Sequence, residues 1–237
     1  MLTWVTRPTR EELTAEFCQR LDQSVKVLQG EFAAALTGGE SAAVFYDAWA
    51  RHGVSDRLRF YWSDERMVAR NDPDSNFKLA ADHLLGPGGV AEAHLHPVPT
   101  QLAGAECAAA YAEEIRRKVP GGPTCTPQFP LIILGLGADG HTGSLFPGRD
   151  PHKDDDALVR AVRGTAAHPH ERITFTPKLI NAAREVWFVV TGAKKAWAVQ
   201  QLAERGAEVT QVPSLAVDPR STRVTIFADA DSAGATI

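Results

Sequence analysis

The chain is poor in cysteine, in long apolar runs and in surplus charge of either sign, and each shortage removes a class of function. It holds three cysteines, Cys18, Cys107 and Cys125. An odd number without C-x-x-C spacing supports neither a disulfide framework nor a zinc knuckle. No apolar stretch approaches the roughly 20 residues that span a bilayer. Met1 to Pro8 lacks the cationic stretch and apolar run of a secretory signal, so a cytoplasmic protein that engages no membrane is expected. Lys and Arg total 25 against 29 Asp and Glu, and the basic residues are scattered, which leaves no electrostatic footprint for nucleic acid. An anionic ligand would need a local site. What is present, 237 residues of which 44% are hydrophobic, suffices for one sizeable core, and a single α/β domain over residues 1–237 is expected.

Punctuation along the chain divides it into strands and helices. Thr9 to Glu12 has capping-box spacing behind Pro8, and Leu13, Phe17, Leu21, Val25 and Leu28 repeat at helical intervals up to Gly30. Phe32 to Leu36 is a short apolar run that breaks into Thr37-Gly38-Gly39-Glu40-Ser41, after which Val44, Phe45, Ala48 and Trp49 resume a helical period. Leu58 to Trp62 has strand composition and runs into Ser63-Asp64-Glu65-Arg66. Phe77 to Leu85 reads as helix, Ala93 to Val98 as a weak strand, and Ala105 to Val119 as helix. Phe129 to Leu134 is a buried-strand pattern. Ala157 to Val162 and Arg172 to Thr176 read as extended, Pro177 can open a short helix to Ala183, and Val186 to Val190 is the clearest strand. A helix to Arg205 and a strand from Arg223 to Ala228 follow. Strands that alternate with helices imply a mostly parallel, Rossmann-like α/β sheet covered by helices on both faces.

Function should gather where the strands empty into loops, and one loop dominates. Leu134 to Gly148 reads LGLGADGHTGSLFPG, with Asp, His, Thr and Ser set between glycines. Gly135 to Gly140 also spells G-x-G-x-x-G, but a dinucleotide site needs a long helix after the glycines and an acid at the end of the next strand. Pro147-Gly148 interrupts the segment, and Asp154 to Asp156 lie in a polar run, expected to be a solvated turn. No nicotinamide or flavin is therefore expected, and there is no Walker A loop. His141 is the one imidazole inside a Gly-rich strand-end loop, with Asp139 close enough to orient it. His52, His83, His152, His168 and His170 receive a structural or surface reading. His94 and His96 share a strand face but lack a third ligand, so no metal site is expected. Thr37 to Ser41 offers backbone N–H groups at a helix N-terminus, and Lys194 and Lys195 stand at another strand-to-helix junction. Taken singly, each is a tight turn or a solvated cation; together they suggest anion capture.

These residues resemble a known family, the 6-phosphogluconolactonases, within the superfamily they share with glucosamine-6-phosphate deaminases. Leu134 to Gly148 is similar to the family signature. Trp62 to Arg66 followed by Asp74-Ser75-Asn76 resembles its W-x-D-E-R…D-S-N segment, Arg172 to Thr176 with Asn181-Ala182 its R-I-T-x-T…N-A block, and Gly192 to Ala196 its G-x-x-K-A loop. The likeness runs in order from about residue 30 to 230. It implies hydrolysis of 6-phosphoglucono-δ-lactone to 6-phosphogluconate, in the oxidative pentose phosphate pathway, with neither metal nor organic cofactor. The partner implied is the small sugar phosphate lactone, and no obligate protein partner is evident. By this resemblance His141 is the general base, and Arg66 or backbone N–H groups of the central loop stabilise the oxyanion. Lys195, Arg172 and the loop Thr37, Gly38, Gly39, Ser41 hold the phosphate. Asp64 and Asp139 position hydroxyls or the imidazole, and Gly140 and Ser144 border the substrate. Which of Arg66 and Arg172 meets phosphate and which meets carbonyl stays open.

One departure stands in the first loop, where the family has Ser-Gly-Gly-Ser-Thr-Pro and this chain has Glu40 and Ala42. Glu40 places a carboxylate beside the expected phosphate unless it turns to solvent. Two rival readings are an aminosugar-phosphate isomerase or deaminase and a non-catalytic sugar-phosphate-binding module. The deaminases carry Glu five residues after the His, where this chain has Phe146, and an aromatic residue where it has Arg66.

Overall fold

The computed structural model describes residues 1–153 and 156–234; Asp154 and Asp155 of the expected acidic turn lie outside them. Six strands form one wholly parallel sheet in the order β1-β9-β8-β5-β2-β3. They are β1 (Leu2–Arg7), β2 (Phe32–Leu36), β3 (Leu58–Trp62), β5 (Leu131–Gly135), β8 (Glu185–Val190) and β9 (Arg223–Asp229). The inner strands β2, β5 and β8 are almost continuously apolar, as strands buried on both faces must be. A second, antiparallel sheet joins β4 (Asp64–Arg66), β7 (Arg172–Phe175) and β6 (Val159–Val162).

Alternation along the strands decides which side chain meets which layer. On one face, α1 (Arg10–Val27) and α2 (Glu40–His52) bring Phe17, Phe45 and Trp49 against Trp187, Phe227 and Phe60 in edge-on and tilted ring contacts. Tyr61, the next residue after Phe60, points the other way and meets Phe129, which packs on Phe175 of the small sheet. There α4 (Gly104–Lys118) contributes Tyr111, stacked beside Phe175, and its buried hydroxyl donates to the carbonyl of Trp62 and accepts from that residue's N–H. Thr9 caps α1 with the expected reciprocal pair to Glu12.

Two local expectations change, and one strand appears where the sequence carried no expectation. Leu2–Arg7 is an edge strand, paired along its length with β9 from Leu2↔Val224 to Arg7↔Asp229. Ala93–Val98 is not a strand: a 3-10 turn covers Glu92–His94, and only the Phe60↔Leu95 bridge remains. The helix begun by α3 (Asn76–Ala80) widens into a π turn over Ala81–Leu85. The glycine string after β5 opens no helix; Thr142 and Leu145 close it as an isolated bridge, which removes the dinucleotide reading. Among the described residues no helix is long and apolar enough to cross a membrane.

Candidate active site

Between β2 and β5 the chain reverses its direction of travel across the sheet, β3 lying on one side and β8 on the other. At such a switch point the loops leaving the strand C-termini splay apart and leave a crevice. A cavity of about 310 Å³ occupies it, bordered by Thr37 to Ser41, Asp64, Arg66, Asn76, Gly135 to Gly137, His141, His168, Arg172, Thr191 and Lys195. The volume suits a small ligand.

His141 is half-buried on the cavity wall, and its Nδ1 lies 2.6 Å from Oδ1 of Asp139. The Asp139 carboxyl is held down to about 2, chiefly by this hydrogen bond, and so accepts as a carboxylate. In the neutral imidazole this contact places the proton on Nδ1 and leaves the lone pair on Nε2. Asp139 also accepts from the backbone N–H of His141 at 3.2 Å, which fixes the ring's orientation. The ring lies against the backbone of Gly137, where a Cβ would fall 2.1 Å from Nδ1. Only glycine fits there.

Beneath the cavity Asp64 is buried among partners. Its Oδ2 accepts from the Ser144 hydroxyl at 2.8 Å, its Oδ1 faces Nδ2 of Asn76 at 3.2 Å, and Nη1 of Arg172 lies 3.7 Å away. Arg172 also lies over the Phe146 ring at 5.5 Å. Burial lowers the guanidinium's proton affinity, and the Asp64 carboxylate offsets this only in part. Arg66 stands directly opposite Arg172 across β4 and β7 and donates to the Asp74 carbonyl. Glu65, between two lining residues, does not itself border the cavity. It accepts from the N–H groups of Arg66, Asn76 and Phe77, each at 2.7 Å, and from Ser75 Oγ at 3.1 Å. The D-E-R…D-S-N spacing thus ties β4 to the N-terminus of α3, with Glu65 as the clamp.

Across the cavity, Thr37 to Ser41 runs into the N-terminus of α2, where unpaired N–H groups and the helix dipole favour an anion. Ser41 and Thr191 bond each other at 2.9 Å and bind the loop after β8 to the loop after β2. Asp229 secures that second loop by accepting from the N–H of Gly192 at 2.9 Å. Lys195 begins the next helical segment, half-buried; burial lowers its proton affinity while Asp139 and Glu40 partly restore it. Glu40 is exposed yet borders the cavity.

The expected residues therefore divide. His141, Asp64, Arg66, Thr37, Gly38, Gly39, Ser41, Arg172 and Lys195 line one cavity, and Asp139 supports His141 from behind. Ser144 and Gly140 do not border it. Ser144 is fully buried as a donor to Asp64, and the Gly140 carbonyl accepts from the Ser214 N–H at 3.0 Å. Both serve the loop's framework. Among the lining residues that carried no sequence expectation as ligands are Asn76, whose motif was visible, Thr191, and His168, to which local context gave a structural or surface role. His96 instead bonds Glu114 at 2.8 Å and stacks on Tyr61. Asp139, His141 and His168 offer ligand atoms within 4.8 Å of one another, a spacing compatible with a divalent ion. Asp139 Oδ1 and His141 Nδ1 already satisfy each other there.

Comparison with known proteins decides the family. The profile of the glucosamine-6-phosphate isomerases/6-phosphogluconolactonase family matches residues 8–226. The chain belongs to this family. Within it, the chain is 37% identical over 194 residues to a 6-phosphogluconolactonase of Synechocystis, covering 81% of this chain and 80% of that one. A Treponema pallidum 6-phosphogluconolactonase is 38% identical over 168 residues, 68% of each chain. The solved 6-phosphogluconolactonase of Trypanosoma brucei superposes with a TM-score of 0.84 at 27% identity over 98% of both chains. The family's fold is the parallel α/β sheet described above.

Proposed function

We propose that the protein hydrolyses 6-phospho-D-glucono-1,5-lactone to 6-phospho-D-gluconate. The observation that carries the reading is the 2.6 Å pair of Asp139 and His141 on the wall of a cavity that Arg66, Arg172 and Lys195 also line. Nε2 of His141 takes a proton from water as the oxygen attacks the lactone carbonyl. The carbonyl electron pair moves onto oxygen, forming an oxyanion. Collapse restores the carbonyl, breaks the bond to the ring oxygen and returns the proton from His141 to that leaving oxygen. Lys195 and the N–H groups at the start of α2 hold the phosphate. Arg66 and Arg172 add two cations on the side built from β4 and β7, where Asp64 keeps the Arg172 guanidinium in place.

The same cavity would admit an aminosugar phosphate, but Phe146 is buried beneath His141 where the deaminases carry a carboxylate. The experiment uses freshly generated lactone with spontaneous hydrolysis subtracted, and glucosamine 6-phosphate in parallel. Acceleration of lactone opening without ammonia release is expected. Ammonia release, or no acceleration over background, would overturn the reading.

A further inference from the structure

The turn between β6 and β7 carries a second imidazole into the cavity, and its construction is more elaborate than a surface loop requires. Thr165 and His168 exchange backbone hydrogen bonds at 2.8 and 3.1 Å, and the Thr165 hydroxyl accepts a further bond from the His168 N–H at 3.1 Å. Arg149 holds the turn's entrance through the carbonyls of Arg163 and Gly164. His170 holds its exit through Asp74 at 2.8 Å. The His168 ring lies flat on Phe146, centroids 5.1 Å apart and planes inclined by 18°. It meets His141 edge-on at 4.9 Å. No described residue hydrogen-bonds its ring nitrogens, although the ring borders the cavity. The position is fixed by backbone and stacking, and the polar edge is left for a ligand.

We infer that His168 is an oxyanion donor of the lactonase reaction, its ring N–H bonding the carbonyl oxygen that gains charge when the water held by His141 attacks. This rests on the lactonase reading above. A carbonyl carbon within attacking distance of water on His141 Nε2 brings its oxygen near the neighbouring ring, because the two imidazoles meet edge-on with centroids 4.9 Å apart on the same cavity wall. The hydrogen bond transfers no proton: His141 alone takes the proton from water and gives it to the leaving ring oxygen. A neutral imidazole suits the task, since a donor that stays protonated on one nitrogen can polarise a carbonyl without ionising. Burial, with the nearby charges of His141, Arg172 and Arg66, keeps His168 below the usual imidazole range, against a smaller opposing pull from Asp139.

Two variants separate this role from packing. His168→Phe keeps the ring on Phe146 and removes the donor; His168→Gln keeps an N–H and removes the ring. The expected result is a loss of about 100-fold in kcat for His168→Phe, the usual effect of deleting one oxyanion donor, with KM and 6-phosphogluconate affinity within about threefold of wild type, as for an interaction made only in the transition state. His168→Gln should recover a large part of kcat and keep the wild-type pH profile. A kcat within twofold of wild type for His168→Phe, or a loss confined to KM and product affinity, would overturn the inference while leaving the lactonase reading intact. Equal losses in both variants would assign the ring to packing. Failure of the wild type to open the lactone would remove both readings together. Thermal unfolding of each variant confirms that the folded protein is compared.

Discussion

Oδ1 of Asn76 occupies the space that a side chain at Gly38 would need: a Cβ built there would sit 1.8 Å from it. The contact joins the first strand-end loop to the start of α3, and Asn76 in turn bonds the carbonyl and carboxylate of Asp64. Gly38→Ala must displace a buried amide that has nowhere to go. We expect a loss of about 1–3 kcal/mol in unfolding free energy, the usual cost of overpacking, with kcat/KM reduced at least tenfold. Denaturant melts and steady-state kinetics check both.

Ser144 separates framework from ligand contact. Its buried hydroxyl donates to Asp64 at 2.8 Å, so Ser144→Ala strands one acceptor of a buried carboxylate. A destabilisation of about 1–3 kcal/mol is expected, with KM for the lactone changed less than threefold. A large rise in KM at unchanged stability would return Ser144 to the substrate-binding set.

The parallel sheet and the cavity's main residues were legible because both rest on local signals. Buried strands read as apolar runs, and each emptied into a loop whose glycines and charges stood out, as at Leu36-Thr37-Gly38 and Gly135 to His141. What sequence could not show depends on distant partners. Leu2–Arg7 becomes a strand only beside β9, more than 200 residues away in the chain. His168 lies in a polar turn with no helical or strand period, and only the β6–β7 pairing carries it to His141. Ser144 and Gly140 sit in the central loop beside cavity-lining residues, yet Ser144 is buried as a donor to Asp64 and the Gly140 carbonyl is taken by the Ser214 N–H, a partner some 70 residues away. Motif membership marks a loop as important without separating the residues that touch a ligand from those that hold the loop.

Glu40 sets a charge against the anion site. It is exposed at the first position of α2, borders the cavity and lies close enough to support the charge of Lys195. Glu40→Ser should lower KM for the phosphorylated lactone by about two- to fivefold, the scale of one screened charge contact. The gain should shrink as salt is added. A higher KM would show that the carboxylate serves Lys195 more than it repels phosphate.

Asp139 gives a pH signature. Its folded pKa of about 2 lies below the ordinary 3.8, mainly because His141 donates to it. A depressed carboxyl contributes stability that is fully present above the unfolded value and is lost as pH falls from about 3.8 towards 2. Asp139→Asn should flatten stability across that window in chemical denaturation, modestly because the side chain is partly exposed. It should also lower kcat at least tenfold, since the imidazole loses the acceptor that fixes its tautomer.

In the proposed reaction Nε2 of His141 removes the proton from the attacking water, and kcat of His141→Asn on freshly generated lactone, corrected for spontaneous opening, measures that step. A fall of about 10²- to 10⁴-fold is expected, the usual contribution of a positioned general base, with 6-phosphogluconate affinity retained. Turnover within a few-fold of wild type would show that His141 is not the general base.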